Sequence, residues 1–232
     1  MNNYIKNREF LEKNNAYDPN MEHDACGVGM IAATNGKKSR KIVEYGIEAL
    51  KAIWHRGAVD ADGKSGDGAG IQIEIAPDFF REKILATGHN LDDTKRLCVG
   101  MVFLPRTNYT DQEKSREIIE SVLLEENFYI YGWRQVPVNP KVLGEKAFQT
   151  MPEIIQVLFK PYDPELTNKY LERKIYETRR KIENEAFKKS LNNFYICSLS
   201  SKSIIYKGMF LAEAISDFYL DLKDERFVSR FV

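Results

Sequence analysis

The sequence His23-Asp24-Ala25-Cys26-Gly27-Val28-Gly29 decides how this chain folds and which chemistry it carries. An apolar run over residues 30–33 follows it directly. Glycines beside a cysteine let another group approach its backbone, and the apolar run predicts a buried strand over 26–34 that the cysteine opens. The motif has a second interpretation, in which Cys26 is only a small buried hydrophobic residue, and taken alone it favours that one.

Residues 1–25 form a polar leader with little hydrophobic periodicity, which we interpret as a pro-segment; a disordered tail would have the same composition. Removal of the leader after Ala25 makes Cys26 the N-terminal residue, with a thiol and a free amine. Because an α-amine has a pKa of about 7.7–8, this amine can act near neutral pH as the base for its own thiol. The sequence therefore predicts a nucleophile that needs no partner histidine.

The composition excludes several classes of function. Lysine plus arginine and aspartate plus glutamate both number 34 in 232 residues, so no basic field favours nucleic acid or an anionic membrane. The three cysteines, Cys26, Cys98 and Cys197, are far apart and the three histidines are scattered, which argues against a disulfide framework and a metal cluster. No apolar run reaches the ~18 residues of a membrane-spanning helix, and the N-terminus lacks the apolar region of a secretory signal. We expect a cytoplasmic protein.

Hydrophobic periodicity predicts alternating runs of strands and helices. Helices are predicted over 40–54, with Ser39 as N-cap, over 165–189 and over 209–219. A further helix is predicted to begin at a capping box that starts at Thr110. The predicted strands cover 26–34, 71–75, 97–104, 128–133, 154–159, 194–199 and 203–206, the last two as a hairpin, and a final strand starts within 226–232. This order favours an antiparallel α+β layered domain over a βαβ fold.

Two further motifs carry candidate site residues. In Gly66-Asp67-Gly68-Ala69-Gly70 the glycines precede a strand, which argues against a phosphate-binding loop and leaves either a loop packed close to a reactive site or a tight surface turn. His55-Arg56-Gly57 ends a predicted helix. There Arg56 either stabilises the helix C-terminus or holds a carboxylate with its planar guanidinium.

Together the Cys26 motif, the segment Trp54-His55-Arg56-Gly57-Ala58 and the 66–70 loop resemble, in order and spacing, the class II glutamine amidotransferases of the N-terminal-nucleophile type. The similarity is to the glutaminase domain that begins the large subunit of bacterial glutamate synthases, and it covers residues 26–232. The resemblance implies a four-layer αββα sandwich with two antiparallel sheets. A free-standing cysteine hydrolase such as an acylase would share the nucleophile but not the other two motifs.

The resemblance also implies a reaction and the residues that perform it. The Cys26 thiolate attacks the side-chain amide of glutamine, ammonia leaves, and water cleaves the thioester; cleavage between Ala25 and Cys26 frees the amine. Arg56 binds substrate, and the pocket is supported by Gly57, Gly66, Asp67, Gly68 and Gly70. In the parent enzyme the ammonia aminates 2-oxoglutarate at a flavin site.

Other family segments are not contained in this sequence. A His-x-Arg-Phe-Ser-Thr-Asn-Thr segment, an Asn-Gly pair for the oxyanion hole, an FMN-binding barrel and iron–sulfur ligands would all follow. We therefore expect this chain to bind no cofactor itself, to need the remainder of a large subunit and its small subunit as partners, and to be weakly active or inactive alone. The alternative is a non-catalytic fragment that acts only in subunit assembly.

Overall fold

The computed structural model describes residues 2–14, 27–53, 58–91, 93–166 and 168–232. The helices are α1 Asn2–Asn14, α2 Arg40–Ala52, α3 Pro77–Leu85, α4 Tyr109–Glu125, α5 Glu145–Gln149, α6 Asn168–Lys188 and α7 Ile215–Phe218. The strands are β1 Ala69–Glu74, β2 Cys98–Leu104, β3 Phe128–Gln135, β4 Glu153–Pro161, β5 Tyr195–Ser200 and β6 Ser203–Gly208. Short 3-10 helices cover Thr94–Arg96, Pro140–Val142, Ala212–Ala214 and Leu220–Lys223.

The strands of the described residues form two antiparallel sheets. One has four strands in the order β3-β4-β2-β5, and the other pairs β1 with β6 from Ala69↔Gly208 to Glu74↔Ser203. The segments 31–33 and 230–232 also run antiparallel, since the Ile31 and Val232 backbones exchange hydrogen bonds of 3.0 and 2.8 Å. The predicted strands at 26–34 and 226–232 thus appear in the described residues as a short extended pair.

Side chains of β2 alternate between two cores, because successive residues of a strand point to opposite faces. Val99 and Met101 belong to the first core, which also contains Ile73 of β1 and residues of α2 and β6. Cys98 and Val102 belong to the second core, which α4 and α6 close from the other side of the four-stranded sheet. The predicted α+β class is confirmed: two antiparallel sheets share one core, and helices cover the outer face of the larger sheet.

The hairpin predicted for 194–199 and 203–206 is wrong. β5 pairs with β2, whereas β6 pairs with β1 in the other sheet. The chain crosses between the sheets in a tight turn, where the Glu172 carboxylate accepts hydrogen bonds from the Ser201 backbone N–H at 2.6 Å and the Ser200 hydroxyl at 3.0 Å. A local pattern predicts a hairpin here because the true partner of β6 lies about 130 to 140 residues away in the sequence.

The helix predicted over 209–219 is reduced to Ala212–Ala214 and the single turn of α7. Phe210, Ile215, Phe218 and Tyr219 are all buried in the first core. One continuous helix would spread these four side chains over about half its circumference, so the chain bends to bury them instead. Within the leader, Asn2–Asn14 form the helix α1.

The N-cap of α4 lies two residues before the predicted Thr110. Asn108 is the N-cap, and its side-chain oxygen accepts from the Asp111 backbone N–H at 3.1 Å. We expect Asn108→Ala to lower the free energy of unfolding by about 1 kcal/mol, the usual cost of a lost N-cap. The matched variant Thr110→Ala should change it by less than about 0.5 kcal/mol. Urea unfolding of both variants checks this, and an equal loss in the two would refute the assignment of the cap.

Candidate functional site

Four of the predicted site residues lie outside the described residues: Ala25, Cys26, Arg56 and Gly57. The described part of the site is the loop 58–70, with Gly66, Asp67, Gly68 and Gly70. This loop folds back on itself, since the Asp60 N–H donates to the Ser65 carbonyl at 2.9 Å and Val59 forms a bridge with Gly66. Its last two residues, Ala69 and Gly70, are the first two of β1.

The glycines of the loop permit contacts that a side chain would block. A Cβ on Gly70 would lie 2.8 Å from the Lys207 Cβ on the paired strand β6. Gly68 has a φ of +124°, which L-residues rarely adopt. Gly66 is buried against the Phe210 backbone, where an added Cβ would lie 3.2 Å from the carbonyl carbon. The loop therefore packs closely against β6 and Phe210. The sequence-based interpretation that it lies close to a reactive site stays a prediction.

Asp62 organises the bend of this loop. Its Oδ1 accepts from the backbone N–H groups of Lys64 at 2.9 Å and Ser65 at 2.7 Å, and its Oδ2 accepts from the Ser65 hydroxyl at 2.6 Å. These hydrogen bonds, the one from the Ser65 hydroxyl first, stabilise the charged carboxylate and hold the pKa of Asp62 well below its usual range. Asp62 and Ser65 are not among the site residues predicted from the sequence. Their spacing, Asp-Gly-Lys-Ser, is the pattern of an Asx turn and could have indicated them.

The loop forms one wall of an open groove of about 1400 Å³. Residues 67–72, the end of β2, the segment around α5 and the start of β5 line it. Its walls combine apolar side chains such as Phe103, Met151 and Phe210 with the cationic groups of Arg106 and Lys207. Such a mixture is typical of pockets that take a small polar molecule.

Two other cysteines lie within the described residues, and both are buried. Burial raises the pKa of the Cys98 thiol well above its usual value, and it raises that of Cys197 to about 11. Neither thiol is ionised to a useful degree near neutral pH, so neither is an effective nucleophile. Both side chains instead pack in the hydrophobic cores, Cys197 in the first and Cys98 in the second.

In the ranges given above, no group of three or more His, Cys, Asp or Glu side chains could hold a metal ion. None of the helices described is both long enough and apolar enough to cross a membrane.

Comparison with known proteins identifies a family model and several relatives. The model for "Glutamine amidotransferases class-II" matches residues 26–232. The "Glutamate synthase [NADPH] large chain" of Azospirillum brasilense is 53% identical over 225 residues, which are 97% of this chain and 15% of that protein. The protein of the same name from Bacillus subtilis is 38% identical over 93% of this chain and 14% of its own length. The "Ferredoxin-dependent glutamate synthase" of Pyropia yezoensis is 40% identical over 90% of this chain and 14% of its own length.

These relatives are several times longer than the chain. It spans 15% or less of the length of each of the three, so their names describe polypeptides of which this chain resembles one part.

Proposed function

The chain belongs to the class-II glutamine amidotransferases, and from that membership we propose that it carries the glutaminase step of a glutamate synthase. It hydrolyses glutamine to glutamate and ammonia through a thioester on Cys26. In the longer enzyme the ammonia aminates 2-oxoglutarate. This second reaction takes place in the part of the large subunit outside this chain, which holds FMN and an iron–sulfur cluster and works with a small subunit. These parts of the proposal follow the resemblance and the names of the relatives.

The mechanism requires four proton transfers, two in each half of the reaction, and one covalent intermediate. The α-amine of Cys26 takes the thiol proton, and the thiolate attacks the side-chain amide carbon of glutamine. The amine then gives the proton to the leaving nitrogen, so ammonia departs and a glutamyl thioester remains. Water attacks the thioester with the same amine as base, which releases glutamate and restores the thiol.

The remaining site residues bind and enclose the substrate. Arg56 holds the α-carboxylate of glutamine, because its planar guanidinium donates two parallel hydrogen bonds to such a group. Gly57 and the loop residues Gly66, Asp67, Gly68 and Gly70 support the pocket from the side. The close packing of the loop against β6 supports this role, since a rigid wall keeps its shape when substrate binds.

One observation carries the proposal: the family match begins at residue 26, which is the cysteine itself. A match that starts at the nucleophile is what a domain with an N-terminal catalytic residue predicts. The burial of Cys98 and Cys197 supports the same assignment, because buried thiols that stay un-ionised are poor nucleophiles.

Covalent labelling with an electrophilic glutamine analogue tests the proposal. The protein used is the full-length polypeptide in which this chain occurs. We expect one equivalent of label, on a peptide whose first residue is Cys26, because removal of the leader after Ala25 frees the amine that activates the thiol. Mass spectrometry of the intact protein and of its peptides measures both points. A protein that takes no label, or takes it with residues 1–25 still attached, would contradict the mechanism; a folded, unlabelled protein would favour the role in subunit assembly.

A further inference from the structure

We propose that Asp62 and Ser65, docked against α5 at Gly144, position the glycine loop 66–70 and thereby set the affinity for glutamine. Asp62, Ser65 and Gly144 are positioning residues, and none of them takes part in the reaction steps described above. The inference rests on the proposed function, because the loop matters for glutamine only if it supports the glutamine pocket.

The first step is the contact between the loop and α5. The Ser65 side chain is buried, with 3% of the residue exposed, and its hydroxyl donates to Asp62 Oδ2 while accepting from the Ala147 backbone N–H at 3.2 Å. Lys146 Nζ also lies 2.6 Å from Asp60 Oδ2. One buried hydroxyl thus links the bend of the loop to a helix about 80 residues later in the sequence.

The second step is the closeness of this contact. A Cβ on Gly144 would lie 2.2 Å from Asp62 Oδ2, 2.5 Å from Ser65 Oγ and 2.6 Å from the Ser65 backbone nitrogen. Atoms this close must move apart, and one of the three belongs to the backbone. Only glycine at position 144 therefore permits α5 to dock on Asp62 and Ser65 as it does.

Ser65 is connected to the groove through the backbone. Ser65 is followed by Gly66, which is itself buried, and residues 67–72 line the groove. Because only one residue separates Ser65 from that wall, a shift of Ser65 moves the wall. The wall shapes the pocket but takes no part in proton transfer, which belongs to Cys26. Loosening it should weaken glutamine binding more than it slows the chemical step.

The experiment compares kcat and KM for glutamine among variants of the longest polypeptide that contains this chain. Asp62→Ala removes three hydrogen bonds that hold the loop and Ser65→Ala removes two. Each should therefore raise KM at least about tenfold, the factor that corresponds to about 1.4 kcal/mol, with kcat within about twofold. Asp62→Asn keeps the oxygen that accepts from the backbone, so its KM should stay within about threefold of the wild-type value. Gly144→Ala should raise KM at least as much as Ser65→Ala.

The matched control is Ser115→Ala. Ser115 is also fully buried, and its hydroxyl donates to the Asp111 carbonyl at 2.6 Å, but it lies on α4 and does not line the groove. This variant should keep the wild-type KM even if it loses comparable stability. Amide hydrogen exchange over residues 63–67 adds a readout independent of activity, and it should accelerate in Asp62→Ala and Ser65→Ala but not in Ser115→Ala.

The outcomes separate the two proposals. A raised KM with faster exchange in the loop variants, and neither in the control, supports the inference. Wild-type KM in Asp62→Ala and Ser65→Ala, or an equal rise of KM in Ser115→Ala, overturns the inference and leaves the proposed function in place. A wild-type protein that neither hydrolyses glutamine nor takes the electrophilic analogue refutes the proposed function, and the inference falls with it.

Discussion

Cys26→Ala should abolish glutamine hydrolysis, a loss on the order of 10⁶-fold in kcat as for other deleted nucleophiles. The variant has no sulfur to form the thioester, while its N-terminal amine has no thiol to activate. Cys26→Ser keeps a hydroxyl and the amine, but a serine hydroxyl is far harder to ionise near neutral pH than a thiol, so hydrolysis should be nearly abolished as well. The measurement is the release of glutamate from glutamine.

We expect activity to be lost only in the glutamine-dependent reaction, and only when Cys26 is the cysteine replaced. In a longer enzyme that makes glutamate, synthesis fed with free ammonium should persist in Cys26→Ala, because that route bypasses the thioester. Cys98→Ala and Cys197→Ala serve as matched controls and should retain glutamine hydrolysis while losing on the order of 1 kcal/mol of stability. Turnover of glutamine by Cys26→Ala, or label from a glutamine analogue on Cys98, would show that the nucleophile is assigned wrongly.

The largest expected effect on stability comes from Asp221→Ala. Asp221 and Arg134 form a bidentate ion pair with N–O distances of 2.5 and 2.7 Å. The pair is buried, since 3% of the Asp221 side chain and 11% of the Arg134 side chain are exposed. Removal of the carboxylate leaves the guanidinium buried without its charge partner and also removes an acceptor from the Tyr206 hydroxyl, which lies 3.2 Å from it. Such a change lowers the free energy of unfolding by about 3–5 kcal/mol. This is a large share of the total for a typical domain, which is about 5–15 kcal/mol.

Urea unfolding of Asp221→Ala measures this cost, and an exposed ion pair supplies the control. Arg173 and Glu177 on α6 are 76% and 53% exposed and 2.9 Å apart. Because solvent screens such a pair, Arg173→Ala should cost at most about 0.5 kcal/mol. Equal losses in the two variants would mean that burial does not decide the strength of the Arg134–Asp221 interaction.

The sequence by itself determined the family and the local elements. The motifs at Cys26, Arg56 and Gly66 predicted a class II amidotransferase, and the family match over 26–232 confirms that prediction together with the αββα class it implies. The predicted helix 40–54 is confirmed as α2, with Ser39 as its N-cap, and each predicted interior strand overlaps an observed one. These features are predictable because periodicity and capping act between residues that are near in the sequence.

Tertiary structure alone decided which elements meet. The pairing of β6 with β1, the contact of Ser65 with α5 and the ion pair of Arg134 with Asp221 join residues about 80 to 140 positions apart. None of these contacts leaves a local pattern, because each depends on how two sheets and their helices pack around a shared core. The 66–70 loop illustrates the division: its glycines left open a closely packed loop or a tight surface turn, and only the folded chain shows that the loop packs against β6 and the segment after it.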